Sequence, residues 1–361
     1  MKITIIAGAR PNFMKIAPLI HSIQKAQQAG SNIDYRLVHT GQHYDKNMSE
    51  TFFEELNIPT PDVNLGVGGG TQAEQTAGIM VAFEKDLLQN PTDLVMVVGD
   101  VTSTMACSIV AKKLNTKVAH IEAGIRSWDL TMPEEINRMV TDALTDFYFT
   151  TSEVANINLK NSGVNAEKIF FVGNVMIDTL LSNIDKFRKP DIFDNLELKN
   201  GEYLVLTMHR PANVDGIEKL RFLITEIVNN VHGLPVIFPI HPRTARIFSE
   251  IGFNFKNLHI VDPMGYLEFN YMVKHCKAVI TDSGGITEET TVMGIPCITL
   301  RDNTERPETC TVGTNELIGT DPKAIKPALD KLFSGMWKKG EIPEKWDGHA
   351  AMRIIEILKQ L

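Results

Sequence analysis

Residues Val279 to Glu308 read VITDSGGITEETTVMGIPCITLRDNTERPE, and this stretch decides the fold. It opens on an apolar strand, turns at Asp282-Ser283-Gly284-Gly285, and continues as a helix expected from Ile286 to Val292. Gly294-Ile295-Pro296 ends that helix, and Cys297 to Leu300 read as the next strand. A strand, a tight turn, a helix and a second strand make the repeating unit of a parallel α/β sheet. Ser283, Gly284 and Gly285 would offer backbone N–H groups and the positive end of a helix dipole, with no Cβ in the way, so the turn is a candidate diphosphate cradle. An ordinary turn whose glycines merely pack fits the same residues. Arg301, Arg306 and Glu308 follow at the carboxyl edge of the second strand, the usual ligand side of such a sheet.

The same alternation runs outward in both directions. Toward the N-terminus, strands are expected at Ile3–Ala7, Tyr35–Thr40, Leu94–Val98, Val118–Ile121, Asp146–Thr150 and Ile169–Val172. Helices are expected near Phe13–Gln28, Asn47–Leu56 and from Thr71, a capping residue, to Leu88; Pro133 opens another in the first-turn position. From about Asn183 to Asn200 the strand pattern gives way to charged and polar residues, which reads as a linker. The pattern restarts with strands at Tyr203–Thr207, Val236–Ile240, Leu258–Val261, Ala278–Thr281, Cys297–Leu300 and Thr314–Ile318, and a helix near Gly216–Val231. The chain closes on an amphipathic helix. The expected organisation is two Rossmann-like, doubly wound α/β domains, 1–182 and 201–345, joined by 183–200, with their strand tips lining a central crevice. A length of 361 residues suits two such cores.

A net charge of −8 argues against a broad nucleic-acid surface or a polybasic membrane patch, so an anionic ligand must be held by local groups. No apolar run reaches the ~18–20 residues of a membrane span. The four cysteines, Cys107, Cys276, Cys297 and Cys310, lack paired spacing and read as reduced core residues of a cytosolic protein.

The strand tips collect the reactive side chains. Arg10, Lys15, Asp100, Glu122 and Glu134 come from the first half; His209, Arg210, His241, Ser283, Glu289 and Arg306 come from the second. Three carboxylates with a cationic, serine–glycine cradle suggest general acid/base work beside a bound diphosphate. No serine sits in a nucleophile elbow. No close-spaced ligand pair supports a metal, and no GxGxxG follows the first strand, so neither a metal nor a nicotinamide cofactor is expected.

In order along the chain, GARPNFMK, GQHYD, VVGDVTST, HIEAGIRS, PEEINR, GNVMID, TMHRPANV, TDSGGITEE and RDNTERPE resemble the non-hydrolysing UDP-N-acetylglucosamine 2-epimerases. The resemblance covers nearly the whole chain. It implies the glycosyltransferase-B architecture, with nucleotide held mainly by the second domain and the C-terminal helix, 346–361, packing back on the first. It implies a homodimer that interconverts UDP-N-acetylglucosamine and UDP-N-acetylmannosamine through 2-acetamidoglucal, supplying sugars for surface polysaccharide, with no cofactor. By the family pattern Asp100, Glu122 and Glu134 are acid/base residues, and His209 is a fourth catalytic residue near the departing phosphate. Arg10, Lys15, Arg210 and Arg306 match phosphate and substrate contacts; Ser283, Gly284 and Gly285 match the diphosphate cradle. Glu289 matches the ribose hydroxyls, and Phe269 packs near the uracil. Arg138 and His241 fit either substrate contact or the stitching of loops.

Several positions depart from the commonest bacterial pattern. Ala9-Arg10-Pro11-Asn12 stands for Thr-Arg-Pro-Glu, Ala212 for the glutamate of His-Arg-x-Glu-Asn, and Met264 for a glutamine. Gln42 and His43 match a regulatory site of the bacterial enzymes, but no matching arginine lies near Thr71 to Thr76. GARPNF, VHTGQHYD, RSWDLTMPEE and HPRT also resemble related epimerases acting on UDP-2,3-diacetamido glucuronate. Transferases and hydrolysing epimerases share the architecture and are the further alternatives.

Overall fold

A computed structural model describes residues 1–41, 53–214, 216–240, 248 and 255–361. The chain divides into two compact units, Met1–Ser182 with Glu344–Leu361, and Asn183–Pro343. Each is a doubly wound α/β sheet, as the alternating pattern requires.

The first unit holds seven parallel strands: β1 (Lys2–Ala7), β2 (Asp34–His39), β3 (Val63–Asn64), β4 (Leu94–Val98), β5 (Lys117–Ile121), β6 (Phe147–Thr150) and β7 (Ile169–Phe171). Their order is β3-β2-β1-β4-β5-β6-β7, so the winding reverses between β1 and β4. β4 is buried along its whole length, which is why its sequence is apolar without alternation. The two-residue edge strand β3 was not expected. It carries no apolar run and exists only by pairing with Val38 and His39.

The first helix starts at Arg10 rather than near Phe13. Pro11 fits the first turn, and the Asn12 carboxamide accepts the Gly8 and Ala9 N–H groups while donating to the Val98 carbonyl. The unusual Asn12 therefore ties the tip of β1 to the end of β4. The helix Gln72–Gln89 begins with the Thr71–Glu74 capping box. The helix expected near Asn47–Leu56 lies largely outside the described residues, as do Gln42 and His43.

The C-terminal helix, Ala350–Leu358, belongs to this first unit and packs on the helix Arg10–Gln28. Asp178 caps it by accepting the N–H groups of Ala350 and Ala351. Trp346 is fully buried just before it and donates its indole N–H to the Thr151 carbonyl.

In the second unit β8 (Leu204–Thr207), β9 (Val236–Pro239), β10 (Leu258–Val261), β11 (Ala278–Thr281), β12 (Cys297–Thr299) and β13 (Asn315–Leu317) are again all parallel. The order β10-β9-β8-β11-β12-β13 reverses between β8 and β11. Leu204 and Leu206 face a core built with Leu220, Ile224 and Leu329, while Tyr203 and Val205 face another with Phe193 and Met272. The stretch 183–200, expected to be a linker, is folded as the short helices Ile184–Lys186 and Asp191–Asn195. Phe193 meets Tyr203 and Tyr271 edge-on, an apolar anchor that the polar composition around it conceals. The cysteines are free; Cys107, Cys276 and Cys297 are buried, and Cys310 is only partly so. Among the described residues no helix is long and apolar enough to cross a membrane.

Candidate active site

In each unit several of the described residues singled out from the sequence stand at the carboxyl ends of strands beside the point where the winding reverses. There the loops of neighbouring strands run to opposite faces and leave room for a ligand.

In the first unit, β4 ends in Gly99-Asp100 and β5 in Glu122. Lys15 is buried and ion-paired with Glu122, which is itself buried. Gly99 has φ +67°, a conformation that favours glycine, and a Cβ there would lie 2.9 Å from Lys15 Nζ. Lys15, expected at a phosphate, thus partners an acid/base candidate. Glu122 holds φ +74°, the left-handed region that a non-glycine residue enters only at a cost of about 1–3 kcal/mol.

Asp100 is half-buried and gripped by the helix Pro133–Leu144. Arg138 donates Nε and Nη2 to Asp100 Oδ2 at 3.0 and 2.6 Å, and Asn137 donates to its carbonyl at 2.9 Å. Arg138 therefore stitches loops. Glu134 is exposed in the first turn of that helix, while its neighbour Glu135 is fully buried. Glu135 accepts from Ser127 N, Ser127 Oγ, Trp128 N and Arg138, pinning the loop that precedes Glu134. Arg10 is the first residue of its helix; its side chain lies outside the described residues.

In the second unit, β8 ends at Met208-His209-Arg210 and β11 at Asp282-Ser283-Gly284-Gly285. The helix Gly284–Met293 starts on the glycines themselves, not at Ile286, with Ser283 as N-cap. Ser283 makes no side-chain cap bond to the first-turn N–H groups. A Cβ on Gly284 would sit 2.7 Å from Glu305 Oε1, so a side chain there would displace the Glu305 carboxylate.

Asp282 was read only as a turn residue, yet it orients His209. Its carboxylate is 2.9 Å from His209 Nδ1 and also accepts the backbone N–H groups of His209 and Arg210 and the Asn213 amide. Burial alone would raise this carboxyl, but the bonds from His209, Asn213 and Arg210 outweigh it and hold it below the usual carboxylate range. His209 Nδ1 therefore donates to a carboxylate, and the imidazole, largely exposed, presents Nε2 outward. Arg210 donates Nε to the Asp282 carbonyl.

Arg306 lies in a buried ionic cluster. It pairs with Glu288 and with Glu305, and Glu305 also pairs with Arg301 at 2.6 Å. Burial lifts the Glu289 carboxyl to about 7, although it accepts a hydrogen bond of 3.0 Å from the Tyr266 hydroxyl. Phe269 is partly buried against the core containing Cys276 and Val279, as is Met264. His241 lies outside the described residues.

The first unit thus gathers carboxylates with cationic partners, and the second a histidine, arginines and a helix N-terminus. The model of the UDP-N-acetylglucosamine 2-epimerase family matches residues 25–359. The UDP-N-acetylglucosamine 2-epimerase of Methanocaldococcus jannaschii is 40% identical, with 99% of each chain covered. The UDP-2,3-diacetamido-2,3-dideoxy-D-glucuronate 2-epimerase of Pseudomonas aeruginosa is also 40% identical, with 100% of both chains covered. The crystal structure of the Methanocaldococcus enzyme in complex with UDP-GlcNAc and UDP superposes with a TM-score of 0.89 over 100% of both chains.

Proposed function

Because this chain belongs to the UDP-N-acetylglucosamine 2-epimerase family, we propose that it interconverts UDP-N-acetylglucosamine and UDP-N-acetylmannosamine. The proton on sugar carbon 2 is too weakly acidic for simple abstraction. In the proposed route the bond from carbon 1 to the diphosphate breaks as a carboxylate takes the carbon 2 proton, and a double bond forms between the two carbons. UDP then adds back to the 2-acetamidoglucal as carbon 2 is protonated from the other face. The second unit supplies the nucleotide side of this chemistry: the Ser283–Gly285 cradle, His209, Arg210 and Arg306 for the diphosphate, Glu289 for the ribose and Phe269 beside the base. The first unit supplies Asp100, Glu122 and Glu134 for proton exchange.

The observation that carries this reading is that Asp100 and Glu122, at adjacent strand tips, are each held by their own buried cation. The two carboxylates are thereby fixed in place at neighbouring strand tips. The test is proton NMR of UDP-N-acetylglucosamine with the protein in deuterated water. UDP-N-acetylmannosamine carrying deuterium at carbon 2 is the expected product; free N-acetylmannosamine with UDP would mean hydrolysis. The full-length match to the Pseudomonas enzyme supports a second reading, with UDP-2,3-diacetamido glucuronate as substrate. Turnover of that sugar and not the first would select it.

Glu289 gives the nucleotide side its own test. With a carboxyl lifted to about 7 by burial, it is ionised above that pH and protonated below it. Only the ionised form accepts both ribose hydroxyls, so UDP affinity weakens as pH falls through about 7. The diphosphate titrates identically in a Glu289→Gln variant, so the difference between the two pH profiles, read by calorimetry, isolates this group. Parallel profiles would remove Glu289 from the ribose.

A further inference from the structure

His120 belongs to β5 but does not face an apolar core. Its ring is fully buried, with Nδ1 2.7 Å from Asp142 Oδ1 and Nε2 2.9 Å from the Gly99 carbonyl. A carbonyl oxygen can only accept, so Nε2 carries a proton. Asp142 also takes the Gly124 N–H at 3.1 Å and Arg126 at 2.7 Å on its other oxygen. Burial would raise the Asp142 carboxyl, but His120 and Arg126 outweigh it and hold it below the usual carboxylate range. The ring bridges a carboxylate at one end and a backbone carbonyl at the other. Tyr148 donates to the Asp142 carbonyl and fixes the helix end that bears it.

The two acceptors belong to different carriers of the acid/base residues. Gly99 immediately precedes Asp100; Asp142 lies on the helix that carries Glu134 and the Arg138 that grips Asp100; Gly124 and Arg126 form the turn just after Glu122. We propose that His120 is a positioning residue for the proton-exchange chemistry, a buried imidazole that bridges the Asp100 tip, the Glu122 turn and the Glu134 helix into one frame. This rests on the epimerase reading for its consequence in turnover. The geometry requires two hydrogen-bonding nitrogens at opposite ends of one rigid ring, which no other side chain offers in the space of an imidazole. Arg126, the remaining charge of the cluster, bonds Asp142 and the Ile125 carbonyl and braces the frame from the Glu122 side.

The test uses His120→Gln, which keeps one donor, and Asp142→Asn, which keeps shape and removes the charge. In both, kcat falls on the order of 10²-fold, the effect of misplaced catalytic groups, while KM and calorimetric UDP affinity stay unchanged. The double variant is no worse than either single one, because both break the same link. Hydrogen exchange adds a readout independent of turnover: amides of the Gly99–Ser103 and Glu122–Ser127 segments exchange faster in both variants, and the second unit is unaffected. An inactive parent enzyme would defeat the epimerase reading, while exchange would still decide the frame. Unchanged exchange and parental kcat overturn the proposal. So does a proportional loss of folded protein, UDP binding and turnover in both variants, which would mark the cluster as a general folding element.

Discussion

Glu122→Gln lowers kcat for epimerisation by about 10²–10⁴-fold, the usual worth of a positioned acid/base group. The substitution keeps the shape at the end of β5 and removes the basic oxygen, so deuterium no longer enters carbon 2 of recovered substrate. It also strips the buried Lys15 of its charged partner. Breaking a buried pair from one side costs about 3–5 kcal/mol, so the unfolding midpoint of the variant falls as well. The two effects are separated by comparison with Glu134→Gln. Glu134 is exposed, so that variant should lose turnover with its midpoint unmoved. Rates are read well below both midpoints. If Glu122→Gln turns over there like the parent, Glu122 is a structural partner of Lys15 and the proton chemistry rests on Asp100 and Glu134 alone.

The need for such an experiment reflects what could be read from the sequence. The strands declared themselves because a doubly wound sheet buries both faces and leaves uninterrupted apolar runs; β4 is the plainest case. Asp100, Glu122, His209 and the serine–glycine turn were equally plain, since they follow those runs directly. Partnership was not legible. Lys15 meets Glu122 across a long stretch of chain only because the strand order sets β4 beside β1 and β5 beside β4. Asp282 looked like a turn former and turned out to orient His209. His120 sat inside a strand pattern, and the one available signal was a titratable residue in the interior of β5, between Ala119 and Ile121. Glu135 was hidden by Glu134, its neighbour in the same motif; helical geometry sends adjacent side chains to different faces, one buried and one exposed. Residue types thus announce where chemistry is possible, while the pairings that set protonation states appear only when distant tips converge.

Arg306→Met carries the largest expected cost in the second unit. Methionine approximates the length of the arginine stem but removes a cation that donates Nε to Glu288 and Nη1 to Glu305, both buried. Glu305 keeps Arg301, so the main loss falls on Glu288, which gives up a charged donor and also adjoins Glu289. Removing one member of a buried ionic cluster destabilises by about 3–5 kcal/mol, against a total stability of about 5–15 kcal/mol for a typical protein. Arg306→Lys restores the charge without the planar fork and so falls between the variant and the parent. Denaturant unfolding of the three proteins gives the order directly. UDP titration then asks whether the cation also holds nucleotide. Protection of the parent by saturating UDP should exceed that of both variants, because a ligand stabilises the folded state according to its affinity for it. Equal protection in all three would leave Arg306 as a brace for the cradle loop and take it out of the diphosphate site.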